Sequence, residues 1–263
     1  MDTSSQRKLP LSLHEHVVDE LGGGIVRGEF KADEVLPVED SLAEAFGVSR
    51  TVVREAIKVL VHKRLLEVRT RTGTRVMPSA AWNHLDPDIL RWRFAGELDA
   101  KFLSDVTELR RLVEPAAAEL AASRASPAAV RAIEAALHEM MTTTAVDTHI
   151  AADLRFHSCI LEAAGNELLL GLRHGMEGAW NSAIRLSTQS KADGASSLAL
   201  HQAVSDAIVA GKPTAARAAM NRLIDRWAVD SLRIITRSKK SKGRRKTARQ
   251  GTEKASVAER RTP

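Results

Sequence analysis

Arg50, Arg54 and Lys58 recur four residues apart, in a segment whose other positions include Val53, Ile57, Leu60 and Val61. On a helix this spacing lines the cations along one face and the aliphatics along the opposite one. Guanidiniums grip guanine edges bidentately, and the short polar Ser49 and Thr51 stand beside them. A helix built this way fits a DNA major groove. A second set of chemistry-bearing residues lies far downstream. Asp153 and His157 are i and i+4, His149 is one turn earlier, and His201 opens a later segment. An Asp/His pair, joined by a third ligand from another helix, can hold a divalent metal such as zinc, nickel or manganese. The same residues equally make a metal-free polar pocket of hydrogen-bonded histidines. Arg110 is the third feature. It shares a helix face with Val106 and Val113, near Pro115, and a part-buried guanidinium needs an anionic partner. Glu114 at i+4 is one candidate, and a ligand carboxylate held bidentately is the other.

The elements that must position the first set can be read directly. Leu42, Ala43 and Phe46 form the inner face of a short helix, which Gly47 ends in the left-handed conformation open to glycine. Val48 fills the turn and Ser49 caps the next helix, giving a helix-turn-helix. Leu65–Arg69 then reads as a strand, Thr70–Gly73 as a turn and Thr74–Val76 as a returning strand, a wing with Arg69, Arg71 and Arg75 at its tip. From Val48 to Met77 there are 8 Lys or Arg against 2 Asp or Glu, whereas residues 1–78 balance at 12 against 12. The positive charge is therefore concentrated on the reading surface. A solvated charged helix and hairpin would explain charge by itself, but turn, cap, arginine spacing and wing together point to double-stranded DNA.

A chain of 263 residues can form two compact domains. Its one cysteine, Cys159, excludes an internal disulfide framework and suits a reducing cytoplasm. No signal peptide or apolar run of membrane-spanning length is evident. Residues 237–263 hold 11 Lys or Arg against 2 acids, so the overall +6 hides a net of −3 over residues 1–236. That tail lacks apolar spacing and is expected to be disordered. It is either a solubilising end or a source of non-specific phosphate affinity.

After Pro78, residues 79–98 read as a linker and short helix in which Trp82 and Trp92 anchor a domain or subunit contact. Ala-rich amphipathic segments follow near 99–124, 127–143, 147–164, 166–188, 194–211 and 213–236, separated by Gly, Asn and Pro signals. The second domain is expected to be an all-α bundle. Gly22-Gly23-Gly24 lies inside the leading helix, where each glycine costs about 1 kcal/mol relative to alanine.

The series of the leading helix, Leu36-Pro37-Val38-Glu39, Gly47-Val48-Ser49-Arg50-Thr51, Val53-Arg54-Glu55-Ala56 and the wing glycine resembles the GntR family of bacterial winged-helix regulators. It covers nearly all of residues 10–78. The resemblance implies operator contacts from Ser49, Arg50, Thr51 and Arg54, and from Thr70 and Arg71 in the wing. Asp40 departs from relatives that place a DNA-contacting arginine there, which implies that this contact is absent. Glu108-Leu109-Arg110-Arg111-Leu112-Val113-Glu114-Pro115-Ala116, Asp153-Leu154-Arg155-Phe156-His157 and Ala164-Gly165-Asn166 look like the FCD ligand-binding bundle of the FadR subfamily. His201 and Ala215-Ala216-Arg217-Ala218-Ala219-Met220 continue the order. Lys63-Arg64-Leu65 and the Trp82–Asp88 linker are similar to the galactonate-operon repressors. The resemblance further implies an effector pocket of Arg110, Asp153, His157, Asn166 and His201 for a small organic acid. Its expected metal ligands are Asp153, His157 and His201, and Leu223 stands where metal-holding relatives add a last histidine. Arg173, Trp180 and Arg185 either face this pocket or serve core and surface.

The expectation is a mostly α protein: a winged helix-turn-helix at 1–78, a linker and short helix at 79–98, an all-α ligand-binding domain at 99–236 and a basic tail at 237–263. It would be a homodimeric, cytoplasmic transcription regulator, acting as a repressor and not an enzyme, whose operator affinity a sugar acid or other small carboxylate controls. Two rivals remain. One is a metal-dependent enzyme using Asp153, His157 and His201, although no nucleophile–base pair accompanies them. The other is an architectural DNA binder driven by the basic tail.

Overall fold

The computed structural model describes residues 12–95, 100–172 and 194–233. The basic tail and Arg173, Trp180 and Arg185 lie outside these residues. The chain divides into two compact units, Met1–Glu97 and Leu98–Pro263.

In the first unit, α1 (Leu13–Arg27) starts at a capping box in which Ser12 and Glu15 satisfy each other's backbone N–H groups, and it ends at Gly28. Helices α2 (Glu39–Phe46) and α3 (Arg50–His62) flank Gly47, whose φ of 63° makes the tight turn. Ser49 Oγ accepts the Val52 N–H, so the expected cap is present. Val53, Ala56, Ile57 and Leu60 are buried against Val17, Leu21 and Ile25 of α1 and Leu42 and Ala43 of α2, which sets the cation-bearing face of α3 outward. Strands β1 (Leu66–Arg69) and β2 (Gly73–Val76) pair antiparallel, from Leu66 opposite Val76 to Arg69 opposite Gly73. This is the wing. Leu66 and Val76 close the core at its base, and Val35 bridges to Arg75 at its edge.

Residues 79–95, from the span expected as a linker and short helix, pack into this unit. A 3-10 turn at Ser79–Ala81 leads to α4 (Pro87–Ala95), which packs on α1. Asp86 caps α4 by accepting the Asp88 and Ile89 N–H groups, and its carboxylate receives Lys63 Nζ at 2.9 Å. Lys63, at the C-terminus of α3, also reaches Asp88 at 2.8 Å. Burial disfavours charge on Lys63, but these two carboxylates outweigh it and raise its pKa above the ordinary value. At the other end Arg91 pairs with Asp19 of α1, which also accepts the Trp92 indole N–H at 3.2 Å. Trp92 accounts for the first residue of the glycine run, while Gly24 gives room to Phe30 and Glu29. A Cβ on Gly22 would lie 2.3 Å from the Trp92 ring, so α1 surrenders helix propensity there to admit an indole. Trp92 thus anchors within the unit.

The second unit is helical throughout its described residues. Its described residues comprise α5 (Ala100–Arg124), α6 (Pro127–Thr142), α7 (Val146–Ala163), α8 at 167–172, α9 (Gly194–Val209) and α10 at 213–233. Ser126 caps α6 with Pro127 in its first turn, and Gly165 and Gly211 take left-handed conformations at the breaks read from sequence. Helix α7 packs on α5 and α6, and α9 packs on both of those. Arg111 pairs with Asp225 and Arg217 with Glu119, tying α10 to α5. The described interior is apolar, with Phe102, Phe156 and Trp227 among its aliphatic side chains, except where α5, α7, α9 and α10 contribute polar ones.

Candidate functional site

On the first unit, Ser49, Arg50, Thr51 and Arg54 share the exposed face of α3, and Thr70 and Arg71 are exposed at the wing turn. Arg71 adopts φ 74°, a left-handed conformation that an L side chain occupies at some cost. Two acids at the start of α2 answer the two arginines. Arg50 Nε lies 2.6 Å from Asp40 Oδ1, and Arg54 Nη2 lies 3.2 Å from Glu39 Oε2. Exposed pairs of this sort contribute only about 0.2–1 kcal/mol, so a phosphate or guanine edge can displace them. No sequence spacing announced these pairs, because they cross the turn between two helices. Arg75 is not at the wing tip. It sits opposite Glu67, half-buried, with Nη1 donating to the Asp33 carbonyl at 3.1 Å.

On the second unit, Asp153 and His157 from α7 meet His201 from α9. One potential ligand atom from each lies within 4.8 Å of the others. Asp153 Oδ1 is 3.3 Å from His157 Nε2 and 3.7 Å from His201 Nε2. The far nitrogen of each ring is held from behind. His201 Nδ1 is 2.8 Å from the Ser197 carbonyl, which can only accept, so Nδ1 carries a proton and Nε2 is the nitrogen turned toward Asp153. His157 Nδ1 is 2.6 Å from Glu114 Oε2. Both rings therefore aim Nε2 at Asp153, the arrangement in which an outer carbonyl or carboxylate orients a metal-binding imidazole. Asp153 Oδ1 and His201 Nε2 are buried without a hydrogen-bond partner, so the donor set fits a divalent cation.

Glu114 is the site residue that sequence reasoning treated only as a partner for Arg110. It is 1% exposed, and it joins two groups. Arg110 Nε approaches Glu114 Oε1 at 2.5 Å, while Oε2 takes His157. The guanidinium, 2% exposed, also lies 4.6 Å from the Trp227 ring, and its Nη1 has no partner. Of the two partners foreseen for Arg110, Glu114 occupies one edge and leaves Nη1 for a second. Burial opposes ionisation of Glu114, but the Arg110 and His157 charges prevail and hold its carboxyl at about 2. Burial likewise opposes charge on Asp153, which His157 and His201 hold well below the usual carboxylate range. Burial would neutralise His157, yet Glu114 and Asp153 push it up to about 9. Without a cation the ring is an imidazolium between two carboxylates. A metal would have to replace its proton at Nε2.

Two expected neighbours stand elsewhere. Asn166 is exposed, and its Oδ1 accepts the Leu168 and Leu169 N–H groups at 3.0 and 3.3 Å, so it caps α8 and does not join the pocket. The Gly165-Asn166 break was itself a capping signal. His149 turns to the Met140 carbonyl and ties α7 to α6. Leu223 is buried on α10 and supplies no ligand.

Residues 13–76 match the model of the bacterial regulatory proteins of the gntR family, and residues 105–226 match that of the FCD domain. The galactonate operon transcriptional repressor of Escherichia coli is 36% identical over 61% of this chain and 71% of its own. A putative L-lactate dehydrogenase operon regulatory protein of the same species is 34% identical over 81% of this chain and 83% of its own. The solved structure of Lar, which controls expression of the Listeria monocytogenes agr system, shares the fold at a TM-score of 0.64. It is 20% identical and covers 86% of this chain and 99% of its own. The relatives are transcription regulators and not enzymes, and this chain belongs to the GntR family, a regulator with a winged-helix DNA-binding domain followed by an FCD effector-binding domain.

Proposed function

We propose that this protein is a dimeric repressor whose FCD domain binds a small hydroxy carboxylate and so lowers operator affinity. Ser49, Arg50, Thr51 and Arg54 read bases and phosphates in the major groove, and Thr70 and Arg71 contact the flanking backbone. The carrying observation is the partnerless buried Arg110 Nη1, next to a cluster that leaves Asp153 Oδ1 and His201 Nε2 without partners. A buried cation with a vacant N–H edge suits a carboxylate. Two imidazoles and a carboxylate converging on one point suit a divalent metal, which would supply Lewis-acid coordination to that same ligand. Galactonate and L-lactate, the acids in the names of two relatives, are both α-hydroxy carboxylates, a class that chelates through adjacent oxygens. Among the described residues no helix is long and apolar enough to cross a membrane, in keeping with a cytoplasmic DNA binder.

Effector binding biases the DNA-binding state only through its unequal affinity for the two arrangements of the protein. The test selects a duplex from a random pool with the purified protein, then titrates galactonate and L-lactate into the complex. Release of the selected duplex, with thermal stabilisation of the free protein, is the expected result. Selection of no preferred sequence would overturn the operator reading. A selected duplex that no hydroxy acid releases would overturn the effector reading. Elemental analysis of protein prepared without chelator reports the metal.

A further inference from the structure

Trp227 and Ser231 stand outside every role described so far, yet both are buried with a polar atom unanswered. The Trp227 indole Nε1 and Ser231 Oγ have no hydrogen-bond partner, and the residues are 8% and 0% exposed. Leu223, Trp227 and Ser231 recur four apart on α10 and so share one face. Trp227 is fixed on that face by its ring, which stacks on the Arg110 guanidinium. Arg110 in turn connects through Glu114 to His157 and the Asp153–His201 cluster. The vacant Nη1 of Arg110 and the vacant Nε1 of Trp227 thus belong to two stacked groups at one place.

An indole N–H can only donate, and a serine hydroxyl can donate or accept. Burying them without partners is costly unless something outside the chain completes them. We propose that Trp227 Nε1, with Ser231 Oγ one turn beyond, is the hydroxyl-reading wall of the effector site. An acid whose carboxylate sits on Arg110 Nη1 lays a hydroxyl oxygen against the Trp227 N–H. This deepens the reading of the bundle as a hydroxy-carboxylate site and rests on it. A site that hydrogen-bonds a substrate hydroxyl rejects the analogue lacking it, because its own buried donor is then stranded. Helix α10 therefore contributes no metal ligand at Leu223 but a specificity element at the next turn.

The experiment titrates the full-length protein with galactonate and L-lactate and with their plain counterparts hexanoate and propionate. Wild type should prefer the hydroxy acids. Trp227→Phe keeps a ring on Arg110 and removes only the N–H. It should narrow that preference about tenfold, by weakening the hydroxy acids and leaving the plain ones unchanged. Ser231→Ala should narrow it by a smaller factor. An unchanged preference in Trp227→Phe overturns the proposal while leaving the carboxylate reading intact. Wild type that binds none of the four acids overturns both. If Trp227→Phe does not fold, as judged by circular dichroism, Ser231→Ala decides: a wild-type preference there also overturns the proposal.

Discussion

The Trp92 ring occupies the space that a side-chain carbon on Gly22 would need, 2.3 Å from Cη2, so Gly22 of α1 is a seat cut for one residue of α4. Gly22→Ala should therefore destabilise the protein by about 1–3 kcal/mol through overpacking, against the roughly 1 kcal/mol that alanine gains in an open helix. Urea titration of the full chain measures the sign. A stabilised variant would show that the indole is not held there.

Arg110 and Glu114 are a buried pair, and removing one charge strands the other. Arg110→Ala should cost about 3–5 kcal/mol in the absence of ligand. The double variant Arg110→Ala/Glu114→Gln should cost less than the sum of the two singles, because neither charge is left opposite an empty space. Additive costs in denaturant unfolding would mean that the two residues do not interact.

The pH profile of chelator-treated protein should carry the signature of this network. His157 is raised from 6.5 to about 9, so its contribution is complete below pH 6.5 and is lost as pH rises through 9. Glu114 is lowered from 4.5 to about 2, so its contribution is complete above pH 4.5 and is lost as pH falls toward 2. Stability should be greatest between these windows, and His157→Gln should flatten the alkaline limb. Superimposable alkaline limbs for wild type and His157→Gln would contradict the assignment.

Arg50→Ala and Arg54→Ala should each reduce discrimination between a selected duplex and a scrambled one, by about 1–3 kcal/mol for a lost bidentate guanine contact, with helical content unchanged. Asp40→Ala frees Arg50 and removes a carboxylate from the reading face, so it should raise affinity for random duplex DNA. Gel shifts at fixed salt report both. Equal discrimination in wild type and both arginine variants would move the reading surface away from α3.

Much of the first unit was legible because its signals are local. Ser49, Gly47 and the four-residue spacing of Arg50, Arg54 and Lys58 each act within one turn, and the hydrophobic face of α3 follows from Val53, Ile57 and Leu60. The meeting of Asp153 and His157 with His201 was legible only through the resemblance, since His201 lies 44 residues beyond His157. Trp227 gave no signal at all, because its partner Arg110 is more than a hundred residues away and cation–ring stacking has no sequence period. Glu114 was misjudged in weight, not in place: spacing pairs it with Arg110, but only the packing of α5 on α7 brings His157 to its other oxygen. Asn166 failed in the opposite direction, since a local capping role accounts for it fully.

Lys63 closes the recognition helix, and its single ammonium holds Asp86 and Asp88 at the start of α4. In mechanical terms α4 is pinned at its start to the end of α3 by that ammonium, and further along to α1 by Trp92 against Gly22. A displacement of α4 would therefore load the recognition helix at Lys63, the end opposite Arg50 and Arg54, and α1 at Gly22.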